Sequence, residues 1–254
     1  MKQSIILWTA AAVITFIAGF LQSRLSGDYP ISGSFGIEGK EIGYKLDKVS
    51  YGDKDYQFFL KSEIKNLKGT VNWRQSGTGV WESSELSDSG EVISGKIPAQ
   101  KPLTKVEYYA AVNYNGKSYN IPHNDKPVTM TFYGNIPASI SFYYWFTLLG
   151  LVMLSLRTGL EYFHHPGKIK KLNIFTLIFA VVNVFAFHPL RTTYKLGAVG
   201  KTIIPITEMF QLSSILLVVT WIVATVLIFN TKNNRIWAPA AAVATLLIFE
   251  LGKF

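Results

Sequence analysis

The sequence predicts a membrane α-helical bundle of five transmembrane helices with an all-β sandwich domain inserted into it. Three observations carry that expectation. The composition is 49% hydrophobic and 16% charged, more apolar and less charged than an ordinary soluble domain. Of 25 basic and 16 acidic residues, 13 and 13 fall between positions 27 and 137, so that segment is neutral and the net charge of +9 lies in the remainder. That remainder breaks into apolar runs near the ~20 residues needed to cross a bilayer, while the neutral segment alternates with the period of strands.

The first run, Ser4 to Leu21, is flanked by Lys2 and Arg24. It reads as an uncleaved anchor. The competing reading is a cleavable signal peptide, but its apolar core is usually about 7–15 residues and ends at a small-x-small site. Here Ala18 is followed by Gly19, Phe20 and Leu21. Four more runs follow. Ile140 to Tyr162 opens on the block Phe142, Tyr143, Tyr144, Trp145, Phe146, rings suited to a membrane interface. Leu172 to Phe187 precedes a polar connection from His188 to Thr207; Glu208 to Asn230 is the longest span expected, and Ile236 to Leu251 the last. The chain thus divides into an anchor at 1–24, a β-domain at 25–137 and a four-helix membrane domain at 138–254.

Lysine and arginine in short loops favour the cytoplasm. With the N-terminus inside, that side collects Lys2, Arg157, Lys168, Lys170, Lys171, Lys232 and Arg235, against Arg24, Arg191, Lys195, Lys201 and Lys253 on the other. The block at Lys168 to Lys171, between two span ends, sets the orientation: N-terminus in the cytoplasm of a bacterial inner membrane, β-domain and C-terminus outside.

In the β-domain, period-two patterns occur at Tyr56, Phe58, Leu60; at Val71, Trp73; at Val92, Ser94; and at Val106, Tyr108, Ala110, Val112, as half-buried strands require. Turn chemistry separates them at Gly52-Asp53, Gly77-Thr78-Gly79, Asp88-Ser89-Gly90 and Asn115-Gly116, the last suited to a type I′ hairpin because both residues tolerate positive φ. About seven strands in roughly 95 residues suggest a sandwich, with a last strand from Pro127 to Tyr133. Trp73 on an early strand, and Leu103, Val106, Tyr108, Tyr109 and Val112 on a late one, resemble the fibronectin-III or immunoglobulin-like pattern. That resemblance implies an aromatic core and a tyrosine joining two sheets. The layout of anchor, sandwich and four spans is also similar to uncharacterised bacterial inner-membrane proteins, a likeness that implies no mechanism.

Several chemistries are excluded. The chain has no cysteine, hence no disulfide, thiolate nucleophile or Cys-ligated metal. The basic excess flanks apolar runs rather than forming a water-exposed face, so no nucleic-acid partner is expected. Gly200-Lys201-Thr202 matches the end of a phosphate loop, but Lys195 stands where the first glycine belongs and Pro205 breaks the helix that should follow; no nucleotide is expected. His123, His164, His165 and His188 fall at different depths, so neither a metal nor another cofactor is expected. Arg157 and Glu161, four apart, read as a simple interfacial pair. The alanines at 238, 240, 241, 242 and 244, and at 10 to 12, read as close helix–helix contacts.

The candidate site is a polar layer on the outer side: His188, Arg191, Lys195, Lys201, Glu208 and Glu250, with Tyr194, Gln211 and Lys253 beside them. It suits a phospholipid headgroup or another anion, and the bland alternative is helix-end side chains reaching water. The expected function is a non-catalytic membrane accessory or scaffold protein, whose sandwich recruits a protein or glycan and whose helices sit in the lipid bilayer and dock in a membrane complex. The alternative is a lipid- or anion-handling carrier or enzyme at the outer leaflet, using residues 188–211 and Glu250. A sensor is disfavoured because no cytoplasmic segment exceeds about 15 residues, too short for an output domain.

Overall fold

The computed structural model describes residues 2–64, 67–90, 92–122, 126–164, 168–200, 204–231 and 234–252. They fall into two compact units: residues 27–135 with 195–197, and residues 1–26, 136–194 and 198–254.

The first unit is a two-sheet sandwich. Its strands are β1 (Ile31–Ile37), β2 (Lys40–Leu46), β3 (Val49–Tyr51), β4 (Tyr56–Ser62), β5 (Lys68–Gln75), β6 (Glu82–Glu85), β7 (Ser87–Asp88), β8 (Val92–Ile97), β9 (Lys105–Tyr114), β10 (Lys117–Ile121) and β11 (Val128–Tyr133). One sheet runs β1-β2-β4-β8-β7; the other runs β3-β11-β9-β5-β6, with β10 also on β9. Their alternating inner residues share one core, including Phe58, Leu60, Val71, Trp73, Val106, Tyr108, Val112 and Phe132. In β8 the expected phase is off by one residue. Val92 is exposed, and Ile93, Gly95 and Ile97 face inward, because the apolar pair Ile93/Ile97 outweighs the Val92/Ser94 alternation.

A tyrosine pair pins the crossover from β2 to β3. The Tyr108 hydroxyl donates to the Asp47 carbonyl at 2.8 Å, and the Asp47 N–H donates to the Tyr56 hydroxyl at 3.0 Å. The two hydroxyls are 3.3 Å apart. Burial pushes the Tyr56 hydroxyl up to about 12 and raises that of Tyr108 as well, so both remain donors at neutral pH.

The second unit is helical: α1 (Lys2–Leu25), α2 (Ala138–Leu160) with a 3-10 turn at Glu161–Phe163, α3 (Ile169–Val182), a π turn at Asn183–Phe187, α4 (His188–Lys195), α5 (Ile206–Met209), α6 (Leu212–Asn230) and α7 (Trp237–Leu251). Among the described residues four helices are long and apolar enough to cross a membrane, Lys2–Leu25, Ala138–Phe163, Ile169–Lys195 and Leu212–Asn230, and the chain is a membrane protein on that ground. The fifth expected span is corrected. α7 has 15 residues, a rise of about 22 Å against a hydrocarbon core of about 30 Å. Two boundaries also move. Glu208 does not open a span: it lies on α5, and extended Phe210 and Gln211 separate α5 from α6. The longest apolar helix is instead the 27-residue Ile169–Lys195, which carries His188 beyond the expected end of its run.

Polar groups inside this unit pair across helices, as apolar surroundings demand. Thr158 and Thr176 hydroxyls are 3.0 Å apart, the Asn173 amide donates to Thr225 at 2.8 Å, and the Trp221 indole donates to Thr245 at 2.9 Å. The alanine-rich face of α7 is a helix contact: Ala238, Ala241 and Ala242 are buried. A Cβ at Gly159 of α2 would lie 2.6 Å from that of Ala242, so the backbones approach as closely as glycine permits.

Candidate functional site

Proline has no N–H, and its ring crowds the carbonyl four residues back, so an unbroken α-helix through Pro189 would be disrupted at Phe185. The chain answers with the π turn at Asn183–Phe187 and resumes as α4. Asn183, buried, fixes that turn against α2: its Nδ2 donates to the Tyr144 carbonyl at 3.1 Å and to the Thr147 hydroxyl at 2.8 Å.

The turn brings His188 and Arg191 inward around Tyr144. His188 is 2% exposed and its Nδ1 lies 3.4 Å from the Ser214 hydroxyl of α6, with ring centroids 5.9 Å from Tyr144. Arg191 is 9% exposed. Its guanidinium carbon sits 4.5 Å from the Tyr144 ring centre and 5.6 Å from that of Trp145. Among the described residues no acid forms a salt bridge with it, and neither Arg191 Nε nor the buried Tyr144 hydroxyl has a hydrogen-bond partner.

The energetics make this arrangement incomplete. A charge within an apolar segment costs about 2.5–3.5 kcal/mol on insertion scales. Two aromatic faces offset much of that, at up to about 2 kcal/mol each when desolvated. Ring faces do not replace a directed acceptor, and a buried donor left unmade costs about 1–3 kcal/mol. An anion would answer both donors. α6 starts at Gln211 without a side-chain cap.

The other expected site residues scatter. Glu208 is exposed on α5, and Glu250 is half-buried near the end of α7 with Oε2 unpartnered. Among the described residues neither joins a salt bridge. Lys195 belongs to the sandwich unit, its Nζ 4.3 Å above the Tyr133 ring. Lys201 lies outside the described residues. Ser214 and His188 form a hydroxyl–imidazole contact, but both are buried, which withholds the hydroxyl from a substrate. Among the described residues no group of His, Asp and Glu could hold a metal.

Sequence reasoning underrated the opposite end of the unit. Arg157 and Glu161 are 2% and 0% exposed and form a salt bridge; they are a buried pair rather than an interfacial one. Glu161 Oε1 also accepts from the Lys168 N–H at 2.7 Å and lies 3.3 Å from His164 Nδ1. Arg235 Nη2 donates to the carbonyls of Tyr162 and His164, each at 2.8 Å. The Arg157 guanidinium rests over Trp8, 5.5 Å from its centre. Arg157 Nε is left without a hydrogen-bond partner among the described residues, while the other contacts tie the α2–α3 turn together, which makes the cluster a structural clamp. The four-residue spacing of two opposite charges was the signal; its burial was not legible.

No protein-family model matches the chain, and no curated protein matches it.

Proposed function

We propose that the chain is a non-catalytic accessory protein of a bacterial inner membrane, whose helical unit holds an anion at Tyr144, His188 and Arg191 and whose sandwich recruits a partner outside the cytoplasm. The anion is a phospholipid headgroup or a free phosphate-type ion. One observation carries the reading: a guanidinium nine-tenths buried in an apolar helical unit, with its Nε and the adjacent Tyr144 hydroxyl both lacking acceptors. The excess of lysine at 168, 170 and 171 supports the cytoplasmic placement of the α2–α3 turn. Trp73 in the core and the Tyr108 hydroxyl on the β2–β3 crossover support a fibronectin-III or immunoglobulin-like type for the sandwich.

The test is thermal melting of the full chain in neutral detergent with inorganic phosphate or with short-chain phosphatidylglycerol. A ligand at 100 times its Kd stabilises by about 2.7 kcal/mol. The melting temperature should rise with at least one of the two, the rise should vanish in Arg191→Gln, and it should persist in Lys170→Gln. No rise with either ligand, or an equal rise in Arg191→Gln, rejects the site.

A further inference from the structure

α6 and α7 lie side by side, tied by the bond from the Trp221 indole to Thr245. Measured from that bond, α6 reaches back nine residues to Leu212, while α7 runs on only six to Leu251. At about 1.5 Å per residue these are about 14 Å and about 9 Å, so the first turn of α6 overhangs the end of α7. The space over that end is a recess of about 630 Å³. Leu212 and Leu216 of α6 and Leu247 and Leu251 of α7 line it, with Gln211 and Thr207 where the apolar helix begins.

Three observations say what fits there. Leu212 and Leu251 are 72% and 83% exposed beside a helix long and apolar enough to cross a membrane, where the surrounding medium is lipid chains as apolar as leucine itself. Among the described residues no charged side chain lines the recess, so a charged head would enter it desolvated and without a partner. Gln211 Oε1 is buried without a donor, and among the described residues the Gln211 amide makes no hydrogen bond at all. An amide has both donor and acceptor to satisfy, and its soft terminal torsion lets either end turn toward a ligand. A hydroxyl answers both ends without charge; an ammonium only donates, and an ester or carboxylate only accepts.

We infer that this recess holds an uncharged lipid of the acylglycerol class, with its acyl chain against the four leucines and a head hydroxyl on the Gln211 amide. The size and the lining, mostly apolar with a few polar groups that set orientation, are those of a small-molecule site. The inference does not rest on the anion site. Arg191 and Tyr144 offer donors and call for an anion, whereas this recess offers an unmet amide and no cation, so the two take different lipids or different parts of the membrane's lipid pool.

The experiment immobilises the full chain in an amine-oxide detergent, whose head carries no hydroxyl, and measures retention of radiolabelled monooleoylglycerol, methyl oleate and oleate. Monooleoylglycerol should bind, and the other two should bind at least about fivefold more weakly, or about 1 kcal/mol, the worth of one neutral hydrogen bond. Gln211→Leu should bring monooleoylglycerol down to the level of methyl oleate and leave methyl oleate within about twofold. Leu216→Trp should fill the recess and weaken monooleoylglycerol at least about tenfold, whereas Val226→Trp, which puts the same ring at another exposed position of α6, should leave it within about twofold. Equal binding of methyl oleate and monooleoylglycerol, or equal losses in the two tryptophan variants, would reduce the recess to ordinary contact with bilayer lipid and overturn the inference. Oleate binding as tightly as monooleoylglycerol would overturn the uncharged head. Displacement of monooleoylglycerol by inorganic phosphate would place it at Arg191 and overturn a separate site. Retention of none of the three probes would remove the recess as a site without touching the Arg191 reading.

Discussion

Replacing Gly95 with alanine probes the sandwich where its packing has no slack. A Cβ at this inward position of β8 would stand 2.4 Å from Phe58 Cζ, 2.5 Å from its Cε1 and 2.9 Å from Leu86 Cδ2. The Phe58 ring cannot yield freely: it is 2% exposed and packs on Tyr56 and Tyr108, with ring centres 6.2 Å and 6.0 Å away. Overpacking of this kind costs about 1–3 kcal/mol, and removing a strand glycine returns about 0.5–1 kcal/mol of backbone entropy. The net cost is centred on about 1 kcal/mol and reaches about 2.5 kcal/mol, a factor of about 5 at its centre in the unfolding equilibrium. Hydrogen exchange on the full chain should read it as faster exchange of that size across the slowest amides of β4 and β8. Gly36→Ala in β1 is the matched control. Its Cβ would meet nothing nearer than the Lys40 carbonyl at 4.0 Å, so exchange there should be unchanged or slower. Unaltered exchange in Gly95→Ala would mean that Phe58 does not occupy the space over Gly95, and the account of the core would fail.

Three further outcomes are expected. Arg157→Met should lower the melting temperature of the detergent-extracted chain by leaving Glu161 buried without its partner, a loss of about 3–5 kcal/mol; Arg157→Met/Glu161→Met should cost less than the single variant, and the reverse order would contradict the clamp. Gly159→Ala should lower the same melting temperature by overpacking α2 on α7, and Gly159→Ala/Ala242→Gly should restore it, because the swap returns the same methyl volume to the same gap; no rescue would mean the helices do not meet there. Arg74, hydrogen-bonded to Glu107 at 2.8 Å, holds that carboxyl below its ordinary 4.5, with Ser76 assisting. A lowered folded-state value contributes stability in full above the unfolded value and loses it as pH falls through the folded one. Arg74→Met should therefore flatten the acid side of the stability profile of β5 and β9 in hydrogen exchange, and a profile identical to the parent chain would refute it.

The division into apolar helices and a β-domain was legible because each is written in periodicity and run length, which depend on nearest neighbours. Trp73, Tyr108 and the Asn115-Gly116 hairpin follow from those local rules, and the structure pairs β9 with β10 across that turn. What escaped was decided by packing at a distance. The inward pair Ile93 and Ile97 sets the phase of β8, and Gly95 between them leaves the room that Phe58 of another strand occupies, a fact about packing at a distance. α7 matches the expected apolar run almost residue for residue, Trp237–Leu251 against Ile236 to Leu251, and the error was to take so short a run as a span. In the candidate site, His188 and Arg191 were identified by residue type, but Tyr144, which holds them together, had been read only as one of five interfacial aromatics. The burial of Arg157 and Glu161 needed Trp8 and Arg235, more than 70 positions away or on the opposite flank of the sandwich in sequence.

The π turn at Asn183–Phe187 acts as a one-residue insertion in a helix that otherwise keeps phase. The buried positions of α3 step as Ile169, Asn173, Thr176 and Ala180, then continue as Asn183, Val184, His188 and Arg191. A helix without the extra residue would carry the stripe through position 187 instead of 188, since each residue advances it by about 100°. The two halves are therefore geared to different partners, and the gearing resides in backbone count rather than in any side chain. Losing one residue from this stretch would remove the bulge and leave His188 and Arg191 in the same phase, whereas closing the turn to α geometry with every residue kept would rotate the guanidinium by about 100°. A homologue one residue shorter between positions 183 and 187 would therefore be expected to keep an arginine in the place of Arg191 and to lack the π turn before it.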